Sequence, residues 1–131
     1  MSLVNIVHFP SLGDDRGELT VLEQNDLVPF DIKRVYYIYN TIKNISRGFH
    51  AHKNLEQLAI CISGSCLILL DDGNKKENVL LDNPNKGLLI NKMIWHEMSN
   101  FSSDCILMVL ASDFYDEDDY IRSYEAFKEL I

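Results

Sequence analysis

Between residues 3 and 112 the chain is divided by turn signals into short runs of strand-forming residues, and only its last stretch repeats at helical spacing. That punctuation leaves room for many short antiparallel strands and little else. Residues 3–9, closed by Pro10, read as a first strand, and residues 18–22 as a short second one after the Asp14-Asp15-Arg16-Gly17 turn. Residues 33–40 are densest in β formers. Residues 58–63 and 65–70 flank Gly64 and read as a hairpin, and Asp71-Asp72-Gly73 turns the chain into a returning strand at 77–82. Extended runs follow at 88–90, 94–98 and 104–112. The acidic residues at 116–119 read as the cap of a closing helix on which Tyr120, Tyr124, Phe127 and Ile131 share a face. The expectation is a mostly β protein, an antiparallel barrel or sandwich, ending in a short helix.

A chain of 131 residues can bury one core but not two, so a single domain over 1–131 is expected. A net charge of -8 argues against nucleic acid as a partner, because phosphate backbones are bound by clustered Lys and Arg. Arg16, Arg34, Arg47 and Lys53 can still gather into a local pocket for a small anion. Cys61, Cys66 and Cys105 sit in apolar runs without the spacing of a zinc or redox motif, and read as buried free thiols. With no signal peptide and no apolar run near the roughly 20 residues that cross a bilayer, the reading is a cytoplasmic protein without a membrane partner.

Residues 47–57 carry the chemistry. On a strand His50 and His52 point to one face, since strand side chains alternate with a period of two. The pair is a metal site, an acid-base site, or both. Tyr37 and Tyr39 also share a face, which serves either packing or a phenol that donates a proton or holds an oxyanion. Arg16 on its turn, with Arg34, is a candidate phosphate ligand, because a guanidinium fork matches phosphate oxygens. Trp95 and His96 either line the same cavity or fill core.

His50, His52, Gln57 and Gly64 keep the spacing of the first motif of the cupins, and His96 with Asn100 resembles the second. That resemblance implies a jelly-roll β-barrel. Gln57 stands where metal cupins commonly place a carboxylate, and a neutral ligand leaves a divalent ion more weakly held. The reading is therefore a site without metal. A closer resemblance rests on the run Arg-Gly-Phe-His-Ala-His-Lys at 47–53, the strand at 33–39, the Asp71-Asp72-Gly73 turn, Gly87-Leu88, Trp95-His96-Glu97-Met98 and the tail from Tyr115 to Phe127. Together these look like the sugar nucleotide 3,4-ketoisomerases, the WxcM-like group of cupin-fold deoxysugar enzymes.

This resemblance implies a dTDP-linked keto sugar as substrate, no cofactor, and a homodimer, with the first strand as an element that could be exchanged between subunits. Moving a carbonyl from C4 to C3 requires taking the proton on C3 and returning one to C4 through an enediol, work that a neutral imidazole can do. The expectation gives His50 the carbon proton, and has His52 move protons between the oxygens or hold the first imidazole in its tautomer. Arg47 would stabilise the enediolate or diphosphate, Tyr37 or Tyr39 would donate to the sugar, and Arg16, Arg34, Lys53, Gln57, Trp95 and His96 would bind substrate. The alternatives are a metal cupin using His50, His52 and His96, a 3,5-epimerase, and a non-catalytic sugar-binding barrel.

Overall fold

The computed structural model describes residues 2–131. Its strands are β1 (Ile6–His8), β2 (Arg34–Ile38), β3 (Arg47–His52), β4 (Gln57–Ser63), β5 (Cys66–Asp71), β6 (Lys76–Leu81), β7 (Lys86–Ile90), β8 (Trp95–Ser99), β9 (Ile106–Ala111) and β10 (Tyr120–Ile121). A single 3₁₀ turn, Glu117–Asp119, precedes β10, and helix α1, Tyr124–Glu129, closes the chain. The strands form two five-stranded sheets, in the orders β1-β7-β4-β9-β2 and β10-β3-β8-β5-β6, and every ladder is antiparallel. The sheets face each other without closing into a hydrogen-bonded barrel.

Between the sheets lies a core to which Ala59, Cys61, Leu88 and Leu107 contribute from one side and Cys66, Ile68, Leu70 and Met98 from the other. The run at 58–61 is apolar without alternation because β4 is covered on both faces. Leu58 and Ile60 pack outward beneath Phe9, Val28 and Phe30, while Ala59 and Cys61 face the core. A third cluster of Ala51, Trp95, Ile121 and Phe127 seats α1 on the outer face of the second sheet. Ser123 caps that helix by accepting from the Ala126 amide at 3.2 Å.

Three local expectations give way to longer-range packing. The residues at 18–22 form no strand; the segment from Pro10 to Lys33 crosses the outer face of the first sheet with only the isolated bridges Asp14↔Gly17 and Gln24↔Val28. β4 and β5 are not a hairpin, since each joins a different sheet and finds its partners elsewhere in the sequence. The acidic run does not cap α1: Asp116 caps the 3₁₀ turn by accepting from the Asp118 amide at 3.0 Å, and Tyr120 pairs with β3. The β5–β6 hairpin does form, because Asp72 accepts from the amides of Asn74 and Lys75 at 2.8 and 2.9 Å, and Gly73 takes the positive φ of 95°.

The passage from β4 to β5 depends on Gly64, whose φ is +69° and whose position leaves no space for a Cβ, which would lie 2.5 Å from Asp104 Oδ1 and 2.9 Å from the Cys105 amide nitrogen. Gly64→Ala is expected to destabilise the protein by about 1–3 kcal/mol. Urea denaturation measures this, and an unchanged midpoint would show that the crossing is not held in this conformation.

Candidate active site

The site is built on the ladder between β3 and β8. Arg47 pairs with Met98, Gly48 with Glu97, and His50 with His96, so Phe49 is an extra residue opposite the step from His96 to Glu97. This is a bulge, with Gly48 at φ 92° and Phe49 at φ 61°. Residues directly opposite in an antiparallel pair project to the same side. Met98 and His96 share the inner face, so their partners Arg47 and His50 do too, although an unbroken strand would send residues three apart to opposite faces. His52 follows His50 on that face, opposite Tyr120 of β10. The His50 ring lies 5.1 Å from that of His52, 4.6 Å from His96 and 5.0 Å from Tyr120.

Each imidazole is anchored through Nδ1. His50 donates to the Gly48 carbonyl at 3.1 Å and His96 to the Ile94 carbonyl at 3.2 Å. A carbonyl only accepts, so both rings carry their proton on Nδ1 and keep a lone pair on Nε2. The Gly48 carbonyl, not His52, thus holds the tautomer of His50. His52 donates to Asp119 at 3.1 Å, and Asp119 is fixed in turn by the amides of Asn54 and Leu55 at 2.8 and 3.2 Å. Nε2 of His52 is buried without a partner.

Burial is the main influence on all three rings. It pulls His50 down to about 4 and His96 to about 3, helped by the neighbouring imidazoles, so both are neutral near pH 7. His52 is also lowered, chiefly by burial, but the Asp119 carboxylate works in the opposite direction. A nitrogen from each of His50, His52 and His96 lies within 4.8 Å of the others, a set able to hold a metal ion. Gln57 is also buried; its amide donates to the phenol oxygen of Tyr36 at 2.7 Å, and its carbonyl oxygen has no partner. Because the Tyr36 oxygen accepts from Gln57, its own O–H is free to point into the cavity. Burial pushes that phenol up to about 12, which keeps it protonated.

The cavity has a volume of about 500 Å³ and is lined by Arg34, Tyr36, Arg47, His50, Tyr120 and Arg122, among others. Nε of Arg34 is buried and unpartnered. Arg122 is held by Glu117 at 2.8 and 2.9 Å and lies 4.1 Å over the ring of Tyr120. The pocket is of small-ligand size and carries positive charge along one wall.

Of the residues singled out from sequence, His50, Arg47 and Arg34 line this cavity, His52 and His96 are buried against His50, and Gln57 is buried against Tyr36. Tyr37 and Tyr39 do not line it. Tyr37 on β2 and Tyr39 just past its end are 62% and 58% exposed, because Arg34, Tyr36 and Ile38 are the residues that point inward. Trp95 is buried against Tyr124 and Phe127 and donates to Glu97 at 2.9 Å, away from the cavity. Arg16 lies on the exposed 14–17 turn, paired with Asp14 at 2.6 Å, and Lys53 is exposed just beyond β3. Sequence reasoning missed Tyr36, Asp119, Tyr120 and Arg122. The strand period offered a signal for Tyr36, since a residue two along from Arg34 shares its face.

The family described as FdtA, WxcM-like, C-terminal, matches residues 2–131. The chain is 53% identical over 126 residues, 96% of its length and 91% of the relative's, to the TDP-4-oxo-6-deoxy-alpha-D-glucose-3,4-oxoisomerase of Aneurinibacillus thermoaerophilus. It resembles the crystal structure of the TDP-quinovose 3,4-ketoisomerase WlaRB from Campylobacter jejuni with a TM-score of 0.94 and 51% identity, covering 98% of this chain and 99% of that one. A histidine-to-asparagine variant of the 3,4-ketoisomerase QdtA from Thermoanaerobacterium thermosaccharolyticum, in complex with TDP-4-keto-6-deoxyglucose, matches with a TM-score of 0.96 and 42% identity over 99% of this chain and 94% of that one.

The lowered histidines fix a pH dependence of stability. Unfolded imidazoles take up protons near 6.5, whereas folded His50 does so only near 4. Between those values the unfolded state binds more protons, so stability falls as pH drops from 6.5 toward 4 and is independent of this group above 6.5. Urea midpoints at pH 7.5, 6 and 5 are expected to decline less steeply in His50→Gln than in the wild type. Parallel declines would place the His50 titration elsewhere.

Proposed function

The chain belongs to the FdtA, WxcM-like family of sugar nucleotide 3,4-ketoisomerases, and on that premise we propose that it moves the keto group of a TDP-linked 4-keto-6-deoxyhexose from C4 to C3. The observation that carries the reading is the facing of His50, neutral with a free Nε2 lone pair, and Tyr36, whose O–H is left free by Gln57, across one cationic cavity.

In this reading His50 takes the C3 proton, which is acidified by the C4 carbonyl beside it. Tyr36 and Arg47 meet the negative charge that develops on the C4 oxygen, preorganised donors of the kind that lower enolisation barriers most. His52, whose imidazolium form Asp119 stabilises, moves the proton from the C3 hydroxyl to the C4 oxygen. Return of a proton to C4 completes the exchange: one hydrogen has passed from C3 to C4, one from the C3 oxygen to the C4 oxygen, and C3 is now the ketone. Arg34, with its unpartnered Nε, takes the diphosphate.

The protein works in this proposal as one cupin domain over 1–131 and as a homodimer. Support for the second copy comes from the segment between Pro10 and Lys33, where Leu12, Leu19 and Val21 are 58%, 58% and 43% exposed on a stretch with almost no regular structure. Its three free thiols suit a reducing cytoplasm, and no helix among the described residues is long and apolar enough to cross a membrane.

A second reading, a metal-dependent cupin, is favoured by the three converging histidines, each anchored at Nδ1 as a metal ligand would be. Against it stands Gln57 in place of a carboxylate. Elemental analysis and chelation separate the two. Full turnover after chelation is expected, while stoichiometric iron, zinc or manganese required for turnover would favour the metal reading.

His50→Asn is expected to bind TDP as the wild type does and to lose on the order of 10²–10⁴-fold in turnover. Tyr36→Phe should lose about 10²-fold in kcat with little change in KM. Isomerisation in deuterated water, followed by NMR, should place deuterium at C4 of the product. Deuterium at C5 would point to epimerisation, and a keto sugar left unexchanged at C3 would reduce the protein to a binding module.

A further inference from the structure

The three cysteines play no part in this chemistry, yet they meet. Cys61 near the end of β4, Cys66 at the start of β5 and Cys105 just before β9 bring their sulfurs within 4.8 Å of one another, with Cys61 and Cys105 at 3.8 Å. All three are 2% exposed or less, and none forms a disulfide. A thiophilic ion bound at about 2.3 Å by three thiolates holds their sulfurs about 3.5–4 Å apart. Binding therefore requires the cluster to contract, the pair Cys61 and Cys105 already being at 3.8 Å.

Backbone hydrogen bonds preorganise it. Ser65 N donates to Ser102 Oγ at 2.9 Å, Ser102 N to Ser65 O at 2.9 Å, and Cys105 N to Ser102 O at 3.1 Å, tying the segments that carry Cys66 and Cys105. The Cys61 thiol donates to the Ser63 carbonyl at 3.1 Å. The Cys61 thiol lies below the usual range, chiefly through a hydrogen bond from Cys66, so its proton leaves most readily. Cys105 borders a surface groove that Asn40, Ser103 and Asp104 also line.

Charge selects the ligand. The cluster is packed among Ile68, Phe101 and Leu107, where a net charge without a partner is costly. Three thiolates leave monovalent copper with a charge of about −2 and divalent zinc with about −1, but they neutralise a trivalent ion. We propose that Cys61, Cys66 and Cys105 form a three-thiol site for a trivalent thiophilic metalloid, of which arsenite is the probe. In the balanced step arsenous acid exchanges its three hydroxyls for three sulfurs: three S–H and three As–O bonds break, three As–S bonds form, and three waters leave. Nothing is oxidised or reduced.

The chain holds 3 cysteines in all, so any thiol-bound arsenic reports on this cluster. The purified protein, kept reduced with a phosphine, is incubated with arsenite or with zinc, desalted and analysed for metal. The expected results are one arsenic per chain, a near-ultraviolet sulfur-to-arsenic absorption band, and a Tm that rises with arsenite concentration because β4, β5 and β9 become tied together. Cys66→Ser and Cys105→Ser, each first shown to melt cooperatively, should lose on the order of 10²-fold in affinity, the scale of an intramolecular third attachment. Absence of arsenic, equal arsenic in a folded two-cysteine variant, or tighter retention of zinc than of arsenite would each overturn the proposal.

Discussion

The arrangement of the site depends on one irregularity, the bulge at Phe49 in the ladder between β3 and β8. It changes the parity of the strand. Without the extra residue, Arg47 and His50 would face opposite ways, and one cavity could not hold a cation beside the neutral imidazole. Gly48 makes the bulge possible, because a Cβ there would stand 3.0 Å from the His96 carbonyl oxygen in a backbone conformation that side chains avoid. The Gly48 carbonyl then receives Nδ1 of His50. One local departure from strand geometry thus sets the direction of two side chains and the tautomer of one.

Burying three imidazoles together has a cost that the molecule meets unevenly. Desolvation and mutual repulsion keep His50 and His96 neutral, which preserves their lone pairs but weakens them as bases. His52 alone has a carboxylate behind it, and that carboxylate is itself fixed by the Asn54 and Leu55 amides. Asp119 therefore joins three things: the end of β3, the turn that follows it, and the 3₁₀ turn that leads to β10. The same residue that raises the basicity of His52 also holds the chain segment that carries Tyr120 and Arg122 over the cavity.

Much of this was legible where the information is local. The Asp71-Asp72-Gly73 turn specifies its hairpin through side-chain bonds within four residues, and the spacing of His50 and His52 specifies their common face. What was not legible depends on pairing across the sequence. Leu58 to Leu70 has the pattern of a hairpin, but nothing local tells that Gly64 carries the chain from one sheet to the other rather than back along its own. In Val35-Tyr36-Tyr37-Ile38-Tyr39 every residue favours a strand, so composition does not choose a face; the pairing of β2 with β9 does, and it turns Tyr36 inward and Tyr37 out. Asp119 was hidden among like neighbours. A run of carboxylates resembles a helix cap, and only the fold reveals that one member faces a histidine.

Gln57 bears on the site through its functional group. A carboxylate at this position would be acceptor-only, and it would favour a bound cation. An amide of nearly the same size carries donors as well. It spends one on the Tyr36 phenol, which removes that oxygen as an acceptor and leaves its proton as the group facing the cavity. The neighbouring burial that holds Tyr36 near 12 ensures that the proton is present at working pH. A neutral residue here leaves the charge on the cavity wall to Arg34, Arg47 and Arg122. In the reading proposed above, the positive wall formed by Arg34, Arg47 and Arg122 is what balances an enediolate, since Gln57 supplies no anion to draw a cation into the centre.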